Sequence, residues 1–289
     1  MTEDAPGAKS GVDGESRRAA IGAGSDGEGR NGIEMAIEGM GMDASTFWAT
    51  GDYGIVGDMW AAPGRDLVAA LEVRGRDAVD LATGTGVTAL TLAREGAASV
   101  VGVDISPGLL AEAARRAAAE RLDVRWLEAD VVDVPLPSDC ADVVTSTFGL
   151  VFADHPERAV AEARRLVRDG GDVVFTSWSP NGLFGDIRRL MSRYHPDVPA
   201  PWHESVAGIR DVAGAGATVE EREFDLVFES PEAFVHLMEQ YSAPILMARR
   251  TLGEQWSAAR AAVLSAVRSS ATPGAAGYVC RVPYWVTTL

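Results

Sequence analysis

The chain has 289 residues, 47% of them hydrophobic, which is enough for one large core and points to one domain with elaborations. Its 42 acidic and 26 basic residues give a net charge of −16 with Lys9 the sole lysine, and cations cluster no further than short pairs such as Arg115-Arg116, Arg164-Arg165 and Arg188-Arg189, so no nucleic-acid partner is expected. No apolar run reaches the length of a membrane span, no charged-then-apolar leader opens the chain, and Cys140 and Cys280 are too few for a disulfide framework or zinc site, so a soluble cytoplasmic protein without metal is expected.

Residues 1–30 are Gly, Ala, Ser, Asp and Glu with almost no large apolar side chain, a composition that cannot offset chain entropy, so a disordered tail is expected. Residues 31–72 read as a helical arm. Asn31 with Glu34 makes a capping box, and Ile33, Ile37 and Met40 share one helical face. That face needs cover from the domain or from a second subunit, which leaves a homo-oligomer through the arm open. An aromatic-rich loop from Phe47 to Tyr53 follows, then a helix over 56–71.

From 73 to 289 the pattern is regular. Strands near 77–82, 99–104, 123–127, 141–147 and 171–178 alternate with helical runs near 86–95, 107–120 and 156–168, the pattern of a parallel sheet covered on both faces. A loop and short helix over 180–194, a long strand over 219–229, a helical insertion over 231–270 and a last strand over 278–287 complete the chain.

The most informative stretch is Val79-Asp80-Leu81-Ala82-Thr83-Gly84-Thr85-Gly86, with Asp104 closing the next apolar run. Glycines let backbone approach a ligand closely, the helix start offers free N–H groups, and a carboxylate ending the second strand is placed to accept from a ribose diol. An adenosine derivative is the expected ligand. Gly84-Thr85-Gly86-Val87-Thr88-Ala89 also satisfies the dinucleotide fingerprint. Asp80 argues against it, because a carboxylate there repels a pyrophosphate but suits a ligand carrying an ammonium and a sulfonium.

Asp80 to Gly86 resembles motif I of the class I S-adenosylmethionine (SAM) dependent methyltransferases, with Ala82 in place of the first glycine of that motif. Glu128-Ala129-Asp130-Val131 resembles the segment that holds adenine, and Ala141 to Thr147 resembles the fourth strand, its end near the methionine part. The join Arg164-Arg165-Leu166-Val167-Arg168-Asp169-Gly170-Gly171 is similar to that of ubiquinone/menaquinone-type small-molecule methyltransferases, with Asp169 where that group has proline. The resemblance runs from Trp48 to the C-terminus and is strongest over 79–178. It implies an α/β, doubly wound, mostly parallel seven-stranded sheet of the Rossmann-like methyltransferase fold, with SAM as cofactor and S-adenosylhomocysteine as product. The cofactor-binding residues it implies are Asp80, Ala82, Thr83, Gly84, Gly86, Asp104, Ile105, Asp130, Val131 and Thr147.

Methyl transfer from SAM needs alignment and exclusion of water more than a covalent nucleophile. Should the acceptor require a base, the candidates are His155, His195, His203 and Tyr53. Trp48, Tyr53, Phe148, Trp178, Phe184 and Tyr241 are the candidate walls of an acceptor pocket for a small, apolar or aromatic metabolite. Two alternatives remain open at the level of sequence: an NAD(P)-dependent oxidoreductase, and a methyltransferase-fold protein that binds SAM without transferring methyl.

Overall fold

The computed structural model describes residues 43–289 apart from 49, 51 and 195–199, together with the backbone but not the side chain of Tyr53. The expected tail over 1–30, the capping box at Asn31 and the stripe of Ile33, Ile37 and Met40 lie outside the described residues.

The aromatic segment that reads as a loop contains a short helix, α1 (Ala44–Trp48), started by Asp43, whose Oδ1 accepts from the Thr46 N–H at 2.7 Å. The single helix expected over 56–71 is two, α2 (Tyr53–Met59) and α3 (Ala61–Ala69), with Trp60 between them. Pro63 supplies the reason. It has no N–H for the Met59 carbonyl, so it is tolerated in the first turn of a new helix but not in the middle of a continuous one.

The alternation then follows as β1 (Asp77–Leu81), α4 (Val87–Arg94), β2 (Ser99–Asp104), α5 (Pro107–Glu120), β3 (Arg125–Glu128), β4 (Ala141–Thr147) and α6 (Pro156–Leu166). After it come β5 (Val167–Trp178), α7 (Gly182–Met191), α8 (Val206–Ala213) and β6 (Thr218–Phe228). The insertion is three helices, α9 (Pro231–Tyr241), α10 (Ala243–Leu252) and α11 (Trp256–Ser270), before β7 (Ala271–Gly274) and β8 (Gly277–Thr288).

The strands form one sheet in the order β3-β2-β1-β4-β5-β8-β6, parallel from β3 to β5, with β8 antiparallel to both neighbours. β7 is an eighth strand beyond the seven expected. It pairs with residues 277–280 of β8, the part that β5 does not reach. The direction of winding reverses between β1 and β4, so the crevice opens at their C-terminal ends.

Side-chain alternation along the strands gives the sheet two cores. Val143, Val174 and Tyr284 face the cluster with Leu67 and Leu92, whereas Val144, Phe175 and Trp285 face the cluster with Leu81 and Leu166. The join with Asp169 differs from expectation. α6 stops at Leu166 and β5 begins at once, with Val167 opposite Ala141 and then Asp172 opposite Val143, so 168–171 bulge out.

That bulge delivers Arg168 to the end of the sheet opposite the glycine turn. Its guanidinium donates to Asp142 Oδ1 at 2.7 Å, Asp77 Oδ2 at 3.0 Å, the Asp139 carbonyl at 3.0 Å and the Cys140 carbonyl at 3.0 Å. The guanidinium beside them holds the Asp142 carboxyl below the ordinary range; for Asp77 the Ser99 hydroxyl contributes most, then Arg168. We expect Arg168→Met to lower the stability of the fold, since two carboxylates lose their shared counter-charge. Urea unfolding monitored by tryptophan fluorescence measures this; an unchanged midpoint would show the fork to be ornamental.

Candidate cofactor and active site

The site begins with Asp80, the residue before the last one of β1. Register places it beside Thr145 on β4, and the Thr145 hydroxyl donates to Asp80 Oδ1 at 2.7 Å. Thr83, three residues on in the glycine turn, donates its hydroxyl to Asp80 Oδ2 at 2.6 Å. The carboxylate is 1% exposed, and burial pushes its pKa up to about 6 against the pull of those two hydroxyls. One charge thus ties β1, β4 and the turn together.

Asp104 does the same for β2. Its Oδ2 accepts from the Gly84 N–H at 2.7 Å and its Oδ1 from the Ser106 N–H at 2.9 Å, while burial raises its pKa. The Ile105 N–H also pulls on this carboxylate, and its four lone-pair sites still leave room for a further donor. Asp130, after β3, forms a local turn by accepting from the Val132 N–H at 3.1 Å.

These groups line one crevice together with Ala82, Thr83, Gly84, Ile105, Val131 and Thr147. Nine of the ten residues expected to bind cofactor are therefore on its wall. Gly86 is not. It caps α4 with φ +84°, and a Cβ there would lie 2.8 Å from the Trp126 ring and 3.0 Å from the Ala113 methyl, so it serves the packing of the turn. Thr88, unanticipated, lies under the crevice and shares a 2.8 Å hydrogen bond with Thr147.

Two non-glycine residues on the wall have left-handed backbone, Ala82 at φ +50° and Phe148 at φ +57°. Such conformations cost about 1–2 kcal/mol each and gather at functional sites. The structure makes room for Ala82 by having glycine at 149: a Cβ on Gly149 would stand 2.4 Å from the Ala82 methyl and 2.9 Å from its carbonyl oxygen.

The aromatic expectations divide. Trp48 and Phe148 line the crevice, joined by Trp60 and Phe152, which the sequence did not single out. Trp178 does not line it but stacks on Phe148 with ring centres 3.9 Å apart, and Phe184 stands behind Trp60 at 5.1 Å. Tyr241, the last residue of α9 in the insertion, packs against the core away from the crevice wall. Trp48 closes on Phe152 at 5.2 Å, so α1 and the segment after β4 meet over the opening.

Of the candidate bases, the two whose side chains are described, His155 and His203, are not on the wall. His155 precedes α6 with its side chain 58% exposed, 3.7 Å from Glu157. His203 is buried beside Trp202, whose ring packs on Phe175 in the core of the other sheet face. Burial, then the charge of Arg188, drives its pKa down to about 4, which fits a neutral packing residue. His195 lies outside the described residues, as does the Tyr53 side chain. Among the described lining residues the titratable groups are four carboxylates, Asp80, Asp104, Asp130 and Asp154.

A family model for a methyltransferase domain matches residues 78–171, the stretch from β1 to the bulge of β5. The demethylmenaquinone methyltransferase of Deinococcus radiodurans is 35% identical over 173 residues, 58% of this chain and 68% of that enzyme. The chain belongs to the class I SAM-dependent methyltransferases, in the group that contains the demethylmenaquinone enzymes, and its cofactor is SAM; the nicotinamide alternative falls.

An uncharacterised Mycobacterium tuberculosis protein is 36% identical over 155 residues, 53% of this chain and 56% of that protein. This chain thus spans about half the length of the mycobacterial relatives it matches. Among solved structures, the YcgJ protein of Bacillus subtilis shares the fold with a TM-score of 0.53 at 15% identity, over 78% of this chain and 97% of that one. Among the described residues no helix is long and apolar enough to cross a membrane, and no three His, Cys, Asp or Glu side chains are grouped to hold a metal ion.

The contact between residues 82 and 149 generates a test. Gly149→Ala should cost about 1–3 kcal/mol of stability by forcing the turn aside, and adding Ala82→Gly should recover part of that loss. Denaturant midpoints of the two single variants and the double variant measure the coupling; strict additivity would mean that the two residues do not meet.

Proposed function

We propose that the protein transfers the SAM methyl group to an oxygen, nitrogen or carbon of a small, largely apolar or aromatic metabolite, in specialised metabolism. The observation that carries this reading is the make-up of one crevice: carboxylates at the ends of β1 and β2 and after β3, facing a wall of Trp48, Trp60, Phe148 and Phe152.

The donor set fits the cofactor. Asp104, whose carboxylate has acceptor capacity beyond its backbone donors, is suited to ribose hydroxyls, while Ile105 and Val131 offer apolar faces to a base and Asp130 an acceptor at its edge. Asp80 supplies negative charge for the cationic end, and Thr147, two residues beyond its β4 partner Thr145, lines the same crevice. Bound SAM supplies a methyl group already activated on a sulfonium. The chain's part is then to hold the acceptor in line, keep water out with the aromatic wall, and leave the reacting pair undisturbed.

The described wall bears four carboxylates and no Lys, Arg or His. That balance favours a neutral or cationic acceptor over a phosphorylated or carboxylated one. It also favours an acceptor atom that is nucleophilic near neutral pH, with Asp154 the carboxylate beside Phe152 on the acceptor side.

Two measurements test this reading. Incubating the protein with isotope-labelled SAM and a panel of phenols, quinols, amines and their phosphorylated counterparts, followed by mass spectrometry, should give labelled product from neutral or cationic members, undiminished by EDTA. Methylation confined to phosphorylated members, or abolished by chelation and restored by magnesium, contradicts it. In calorimetry, Asp104→Ala should weaken SAM binding by about 1–3 kcal/mol and Asp104→Asn by less, since one acceptor oxygen survives. Equal affinities in all three proteins would remove Asp104 from the site.

A further inference from the structure

Helix α2 brings Gly57, and Trp60 just after it, to the crevice wall, yet it is poorly built to hold itself there. It has seven residues, two of them glycine, so its intrinsic stability in isolation is negligible. Inward, Val56 and the following Trp60 anchor it in the core. α9 also packs against it, and among the described residues the side chain of another element that hydrogen-bonds to it is Arg116 on α5.

The Arg116 guanidinium donates to Asp58 Oδ1 at 2.6 Å, to Asp58 Oδ2 at 3.3 Å and to the Gly54 carbonyl at 3.3 Å. Its Nε donates to Glu112 Oε1 at 2.8 Å, one turn back on α5, which fixes the fork before it reaches across. Hydrogen bonds from Arg115 and Arg116 bring the Glu112 carboxyl down to about 2, so that anchor stays charged. The helix lies close against the fork. A Cβ on Gly54 would stand 3.4 Å from Arg116 Nη2 and 3.0 Å from Asp52 Oδ1.

Behind this clasp lies a second cavity of about 440 Å³ with α2 on one wall and the start of α5 on the other. Trp48, Thr85 and Leu109 line both it and the cofactor crevice, so the two spaces adjoin. Arg116 and Asp58 stand on its opposing walls. The Asp58 side chain is 57% exposed and that of Arg116 20%, which makes the pair weak and sensitive to salt. A weak clasp across a side opening suits a closure that must release with each turnover.

We propose that Arg116 is a positioning residue for the cofactor: its fork on Asp58 and Gly54 holds α2 shut against α5, and opening that clasp is the step by which S-adenosylhomocysteine leaves. The proposal concerns how long the cofactor stays, and so goes beyond the acceptor reading above.

The test needs no acceptor. Release of S-adenosylhomocysteine from the full chain, chased with excess SAM in a stopped-flow instrument, is followed by tryptophan fluorescence, since Trp48 and Trp60 line the crevice. Arg116→Ala should release the product about fivefold faster, with association changed far less, and Arg116→Lys should recover part of the effect by keeping the charge without the fork. Asp58→Asn, which keeps the bonds from Arg116 to Glu112 and Gly54, should give a smaller acceleration, and it carries the test if the alanine variant fails to fold. Raising the salt from about 0.1 M to about 1 M should speed release from the unaltered protein but not from Arg116→Ala. Release rates that match the unaltered protein in the folded variants, or equal salt dependence in all of them, would overturn the proposal.

Discussion

A single buried carboxylate, Asp80, sets the terms for everything around it. It stands where the winding of the sheet reverses, and its two oxygens take hydroxyls from the glycine turn and from β4. Burying that charge is unfavourable, which is why its pKa rises to about 6. The sign of the consequence is definite. Between its unfolded value near 3.9 and about 6 the folded state holds a proton that the unfolded chain has lost, so ionisation of Asp80 lowers stability as the pH rises through that window. A cation arriving in the crevice relieves the cost. The free site is therefore preorganised for positive charge and pays in stability until it is filled.

The other parts of the crevice follow from holding that turn in place. Asp104 fixes Gly84, the glycine at 149 makes room for the strained Ala82, and Phe148 takes a left-handed backbone that lays its ring on Trp178. Trp60 touches Trp178 and Phe184 edge-on and connects the roof to the sheet. The proposed roles of the roof and of Arg116 depend on this link. α2 is anchored in the core at Val56 and Trp60 and joined to α5 by an exposed ion pair, so the proposed opening turns about the Trp60 break.

What was legible in the sequence was what local chemistry decides. The apolar run before Asp80, the glycine spacing and the carboxylate ending β2 each specify a strand end or turn within a few residues, and of the cofactor residues expected all but Gly86 reach the crevice wall. α5 is found over 107–120 as expected, because Pro107 marks its first turn and Arg121, in left-handed backbone, its end. What was not legible depends on partners far along the chain. Whether Trp178 or Tyr241 faces a ligand is decided by distant partners: Phe148 stacks on Trp178, and Tyr241, itself in the insertion, packs against the core. His203 gave no sign of burial in a core on the other face. Two misses did have local signals: Pro63 announces the break that puts Trp60 over the crevice, and the glycine next to Phe148 hints at close backbone approach. The four-residue β7 is defined only by the free edge of β8 and carries no pattern of its own.

The measurement that bears most directly on Asp80 as the counter-charge of a cationic ligand is SAM affinity against pH, by calorimetry between about pH 5 and 7, below the range where the ligand's own amino group titrates. Affinity should climb as the pH rises through about 6, where Asp80 ionises, and the profile of Asp80→Asn should be markedly flatter. The same slope in both proteins, or an affinity that falls as the pH rises, would contradict the account.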